Sequence, residues 1–153
     1  MQQLDADFLR RAIARARSAR ANGNEPYGAI LVSADQQILL EAENTIVSER
    51  DCTGHAETNL VREASRRFSP EVLAGATLYS SAEPCAMCAA AIHWANIGRL
   101  VFAASQARLF EIFGDSPEHL RLSCRELFAR SQRPIEIVGP LLEDEALEAM
   151  NLL

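Results

Sequence analysis

An α/β fold, with helices covering a sheet that includes parallel strand pairs, is predicted by three observations. Helical and strand-like patterns alternate through the middle of the chain, the order that lays strands side by side under helical crossovers. Ahead of them AILVSADQQILLEAEN shows two apolar runs joined near Ala34-Asp35-Gln36, a hairpin rather than a crossover. A length of 153 residues with 48% hydrophobic content suits one domain, residues 1–153, with a sizeable core.

Each element has a local reason. Residues 4–21 repeat apolar positions at helical spacing, with Leu4, Phe8 and Ala12 on one line and Leu9, Ile13 and Ala16 beside it. Asn22-Gly23-Asn24 stops that helix. The polar stretch SERDCTG leads into a helix from His55 to Arg67, and Gly75 to Ser81 reads as a short strand. Pro84 sits where a first helical turn tolerates proline, so a helix is expected from there to Asn96. Gly98 separates it from the strand RLVFAA. Beyond Ser105 the pattern weakens: helices are expected near 105–112 and 118–130, a strand at IEIVG, and a last helix from Leu142.

Charge narrows the function classes. The net charge is −6, and all 15 basic residues are arginine. Arg10, Arg11, Arg15, Arg17 and Arg20 crowd the first helix, whereas LLEDEALEAMNLL holds four acids and no base. A protein that grips a polyanion through many phosphates is normally basic, so the arginine run reads as a solvated helix face and nucleic acid is not the expected partner. No apolar stretch is long enough to cross a bilayer, and Asp5 and Asp7 interrupt the N-terminus where a signal peptide would need an apolar block. The expectation is a cytoplasmic protein, and in a reducing compartment four cysteines remain free for metal.

Chemistry concentrates in HAETNLVREA and EPCAMC. Cys85 and Cys88 stand i and i+3 in a first helical turn, on one face, with side chains leaning toward the helix N-terminus. The positive end of the helix dipole there favours the thiolate, the form a metal needs. Two sulfurs and the imidazole of His55 make a three-ligand zinc set with the fourth tetrahedral position open, as in catalytic sites. His55 and Glu57, at i and i+2, do not face one another on a helix, but both can reach a point beyond its N-terminus. Two helix N-termini meeting over one zinc are therefore expected, with Glu57 beside the metal as a general base. Zinc lowers the pKa of a bound water toward neutrality, and an electron-poor carbon bearing an exocyclic amine is a natural target. A redox CxxC or half of a structural zinc site are the competing readings, but neither uses the HxE stretch. Cys52 and Cys124 read as small buried residues.

These residues match the H-x-E…P-C-x-x-C signature of zinc-dependent nucleobase deaminases. The sequence resembles the cytidine deaminase-like superfamily, in its branch of guanine deaminases, yeast-type cytosine deaminases and tRNA adenosine deaminases, from about Phe8 to Ala104. The resemblance implies a three-layer α/β/α cytidine deaminase-like fold with a five-stranded mixed sheet, one Zn2+ per chain and a homodimer. It implies that His55, Cys85 and Cys88 bind the metal and that Glu57 shuttles protons.

It also implies that Asn44 and the backbone of Ala56 contact the substrate, and that Tyr27, in Pro26-Tyr27-Gly28-Ala29, lines the base pocket. From the residues alone, Asn44 reads as a strand-end turn residue. IHWA and FGDS resemble guanine-deaminase segments; there Trp94 would meet a flat base, or sit in a core or dimer interface. Asp115 would recognise the base edge or relay a proton, or simply cap the next helix. The expected activity is hydrolytic deamination of a small heterocyclic base or nucleoside with release of ammonia, guanine or a guanine-like base first. A tRNA-specific adenosine deaminase and a cytosine or other aminated-base deaminase are the alternatives.

Overall fold

Side chains at alternate positions of the central strands enter two separate apolar clusters, so the sheet is covered on both faces. The computed structural model describes residues 2–153. In order the elements are α1 (Gln2–Ala21), β1 (Gly28–Val32), β2 (Ile38–Glu43), α2 (Ile46–Glu49), α3 (Ala56–Arg67), α4 (Pro70–Ala74) and β3 (Thr77–Ala82). There follow α5 (Ala86–Trp94), β4 (Arg99–Ala104), α6 (Gln106–Phe113), α7 (Cys124–Phe128), β5 (Glu136–Val138) and α8 (Glu143–Ala149). The strand order is β2-β1-β3-β4-β5. β1 pairs antiparallel with β2 and β3, and β3–β4 and β4–β5 are parallel. This is the five-stranded mixed sheet of the expected three-layer fold.

One layer packs α3, α5 and α7 on Ala29, Leu31, Leu78, Leu100 and Phe102. The other packs α1 and α8 on Ile30, Val32, Tyr79 and Val101. With both faces covered, β1 reads GAILV, an unbroken apolar run rather than an alternation. Gly28 lets α1 lie directly on β1: a Cβ there would come within 2.4 Å of the Ala12 carbonyl oxygen. Asp5, buried at the base of α1, accepts hydrogen bonds from Arg99 (2.8 Å) and from the Tyr79 hydroxyl (2.8 Å), tying helix to sheet.

Two directions in the sheet position the site. β2 and β3 are both antiparallel to β1, so they run parallel to each other, and their C-terminal ends lie on the same sheet edge. α3 follows β2 through residues 44–55, and α5 follows β3 directly. Both helices therefore begin at that edge, the side on which open α/β sheets hold ligands.

The C-terminal third departs from expectation. A helix over 118–130 is replaced by the five-residue α7, because the Ser123 hydroxyl accepts from the Glu126 N–H and starts the helix there. Residues 114–123 form no helix or strand. Two short helices, α2 and α4, occupy stretches read as connections. Among the described residues, no helix is long and apolar enough to cross a membrane.

Candidate active site

The residue that starts α3 and the residue that starts α5 face each other across the sheet edge. His55 is the N-cap of α3, with extended backbone at φ −71°, ψ 148°, and Cys85 is the N-cap of α5, at φ −68°, ψ 175°. Neither uses its side chain to cap its own helix, which leaves imidazole and thiol free to point outward. Cys88 lies one turn into α5 and is fully buried. His55 Nδ1 is 3.5 Å from each sulfur, and the three ligand atoms all lie within 4.8 Å of one another.

That spacing can be tested against a metal. Tetrahedral zinc with ordinary Zn–S and Zn–N bonds places sulfur and nitrogen about 3.5 Å apart. His55, Cys85 and Cys88 thus fit one zinc ion, with Nδ1 as the binding nitrogen and three protein ligands in all. Cys85 is pushed down to about 4, first by its hydrogen bond with Cys88, and Cys88 is pushed up by that same bond and by burial. The His55 imidazole is raised, chiefly by its hydrogen bond to Cys85. A bound cation would displace the protons from both sites, as metal binding at such ligands does.

Glu57, the second residue of α3, is 6% exposed and pushed up to about 7, by burial first and by the charge of Cys85 second. A carboxyl balanced near neutrality can accept a proton and return it, which suits a general acid–base. Ala56, between His55 and Glu57, is fully buried, and its N–H belongs to the first turn, where no intrahelical acceptor exists.

Asn44 is 1% exposed at the end of β2. Its Oδ1 accepts from the Ile46 N–H (3.0 Å), and its backbone N–H donates to the Tyr27 carbonyl (3.1 Å). The Asx turn fixes the amide, leaving Nδ2 as the free donor. Asn44 is thus a strand-end turn residue. Tyr27, half-buried, has its hydroxyl raised by burial and by the nearby charges of Glu25, Glu57 and Cys85.

Trp94 and Asp115 stand apart. Trp94 is 82% exposed at the C-terminal end of α5, some nine residues or roughly 13 Å of helix from Cys85. It borders an open groove of about 600 Å³ with His93 and Arg130, which contains no zinc ligand. The Asp115 carboxylate is 96% exposed and pairs with Arg121 at 2.7 Å. Neither a core Trp94 nor an Asp115 that caps a helix is found; Ser123 caps α7 instead. Cys124 is buried as expected, but Cys52 is exposed.

Sequence reasoning passed over Glu83. Its Oε1 accepts from the Gln106 N–H at the start of α6 (3.0 Å), and its Oε2 from the Cys124 N–H at the start of α7 (2.9 Å). One carboxylate two residues before Cys85 therefore joins the N-termini of α6 and α7. An acid directly ahead of Pro84, at a helix start, was the available signal. Asn59 was missed too: its Nδ2 donates to the Glu43 carbonyl (3.1 Å) and Thr45 Oγ1 (2.9 Å), anchoring the loop that delivers His55.

A three-ligand His/Cys/Cys set with a buried carboxyl beside it, at the carboxyl edge of an α/β/α sheet, defines a zinc hydrolase-type centre. The family described as the cytidine and deoxycytidylate deaminase zinc-binding region matches residues 2–104, and the chain belongs to it. It is a zinc-dependent hydrolytic deaminase.

The chain is similar to a "Probable cytosine deaminase" of Schizosaccharomyces pombe, 37% identical over 149 residues, covering 96% of this chain and 90% of that protein. It is also similar to the guanine deaminase of Bacillus subtilis, 36% identical over 111 residues, covering 71% and 70%. A solved structure from work on A-to-I editing by tRNA:A34 deaminases superposes with a TM-score of 0.74 at 30% identity, covering 94% of this chain and 99% of that one.

Proposed function

We propose that the protein deaminates a small free aminated base, with cytosine ahead of guanine. The observation that carries this is the extent of sequence likeness to the S. pombe protein, which includes the segment after Ser105, whereas the sequence likeness to the B. subtilis guanine deaminase covers 71% of the chain. The features that favoured guanine in the sequence also weaken. Trp94 lies at the far end of α5 and Asp115 faces solvent, leaving Tyr27 alone of the three near the metal cluster.

His55, Cys85 and Cys88 would hold the zinc, which when bound supplies Lewis acidity and an activated water. Glu57 takes a proton on its carboxylate and delivers it to a ring nitrogen of the base, and later passes one to the departing amine. Asn44 Nδ2 donates to a carbonyl or ring acceptor of the substrate, and the Ala56 N–H offers a second donor. Tyr27 supplies an aromatic wall. The homodimer belongs to the same proposal, with the exposed indole of Trp94 as apolar surface for it to cover.

Surface charge supports a small substrate over tRNA. Arg10 is held by Glu145 (2.9 and 3.0 Å), Arg11 by Glu41 (3.0 and 3.1 Å), and Arg15 pairs with Glu43, so most of the α1 arginines are engaged within the fold. Ammonia release from zinc-loaded protein, measured on cytosine, guanine, adenine and a tRNA anticodon stem-loop, tests the proposal. Turnover of cytosine above the others is expected. Activity confined to the stem-loop would replace this reading with the editing one.

A further inference from the structure

Thr58, in the first turn of α3, faces the buried sulfur. Its Oγ1 is 3.2 Å from Cys88 Sγ, bridging the helix that carries His55 and Glu57 to the helix that carries the cysteines. Helical threonines commonly turn their hydroxyl back to a carbonyl in the preceding turn. In this case the hydroxyl is directed across to sulfur instead. When Cys88 is a thiolate, sulfur has no proton to give, and the donor in this contact is the threonine O–H.

We propose that Thr58 is a positioning residue of the metal centre, donating a hydrogen bond to the Cys88 thiolate. The inference rests on the zinc reading of His55, Cys85 and Cys88. Two consequences follow from the chemistry. Cys88 is fully buried, where an anionic sulfur lacks water, and a directed O–H supplies part of the missing solvation. The bond also draws on sulfur lone-pair density, so less negative charge reaches the metal and the centre remains a stronger Lewis acid. Partners outside the ligand shell typically affect metal affinity by about 10–100-fold. Thr58 further links the two helix starts whose separation sets the 3.5 Å spacing between His55 Nδ1 and the sulfurs.

The test compares Thr58→Val, which keeps the branched shape and loses the donor, with Thr58→Ser, which keeps the donor. Zinc affinity is read by competition with a chromophoric chelator, and the thiolate-to-metal charge-transfer band by absorbance of the Co2+-loaded protein. Thr58→Val should weaken zinc binding by about tenfold or more and move the band to lower energy. Thr58→Ser should restore both. Should Thr58→Val prove too unstable to purify, Thr58→Ala replaces it as the donorless partner of Thr58→Ser. Wild-type affinity and an unmoved band in the donorless variant, with unaltered protein still binding one metal, overturn the role of Thr58 alone. Unaltered protein that takes up no metal overturns the zinc reading as well.

Discussion

Two regions at the same end of the sheet are built on opposite plans. Around the metal cluster, helices α3 and α5 begin directly over the sheet edge, their N-caps are ligands, and Glu57, Asn44 and Cys88 are buried. In residues 114–123, Asp115 and Leu120 face solvent and there is no regular structure. The first region is held by strand pairing and core packing. The second is tied down at its C-terminal end, where Glu83 accepts from the Cys124 N–H and Gln106 Nε2 donates to the Leu122 carbonyl. The difference teaches what each region depends on: the ligand residues take their spacing from regular elements, whereas an exposed segment without them can be altered with little effect on that spacing.

The contrast can be broken at its rigid side first. Cys88→Ala should lose bound zinc and all turnover, and because zinc binds only the folded chain, should lower Tm by roughly 10 °C; calorimetry with metal analysis reads both. Glu57→Ala should keep zinc and fold yet reduce kcat by about 10²–10⁴-fold, seen in steady-state ammonia release. A Glu57→Ala variant with normal kcat would move the acid–base role elsewhere.

Glu83→Ala tests the joint between the regions. It leaves two helix-start N–H groups without their acceptor and should cost about 2–3 kcal/mol in denaturant unfolding. Amide exchange should quicken selectively over residues 106–124, and uniform quickening would show that Glu83 supports the whole fold instead. Asp5→Asn, on the far side of the sheet, should cost about 2 kcal/mol without touching kcat. Asp5 is held below its usual range, chiefly by its hydrogen bond to Arg99. Its contribution is thus present above the unfolded carboxyl value near 4 and is lost as pH falls through the lower folded value. The wild-type advantage should shrink below about pH 4, as read from denaturant midpoints at several pH values. Smallest of all, Asp115→Ala on the exposed surface should change kcat/KM by about twofold or less.

Legibility followed the same divide. The metal triad and Glu57 could be read because their chemistry needs rare residue types at fixed offsets, and the helix starts at His55 and Pro84 carried positional signals of their own. The hairpin and the strand RLVFAA were plain from apolar runs, and IEIVG came from a weaker pattern. What escaped depended on contacts between distant segments. Nothing local to Glu83 reveals that Gln106 and Cys124 will donate to it, nor does Thr58 announce a sulfur thirty residues on. The placement of Trp94 at the far end of α5 was not legible, because likeness near a motif says nothing of which end of a helix a residue occupies. The short helices were partly readable: Ser69-Pro70 and Ser123-x-x-Glu126 are both helix-start patterns.

The most direct test of the whole account is elemental analysis of the native protein beside Glu57→Ala and Cys85→Ser, paired with ammonia release. One zinc per chain is expected in the first two and none in the third, with turnover in the first alone. Full activity in a preparation free of transition metal, or undiminished zinc in Cys85→Ser, would contradict it.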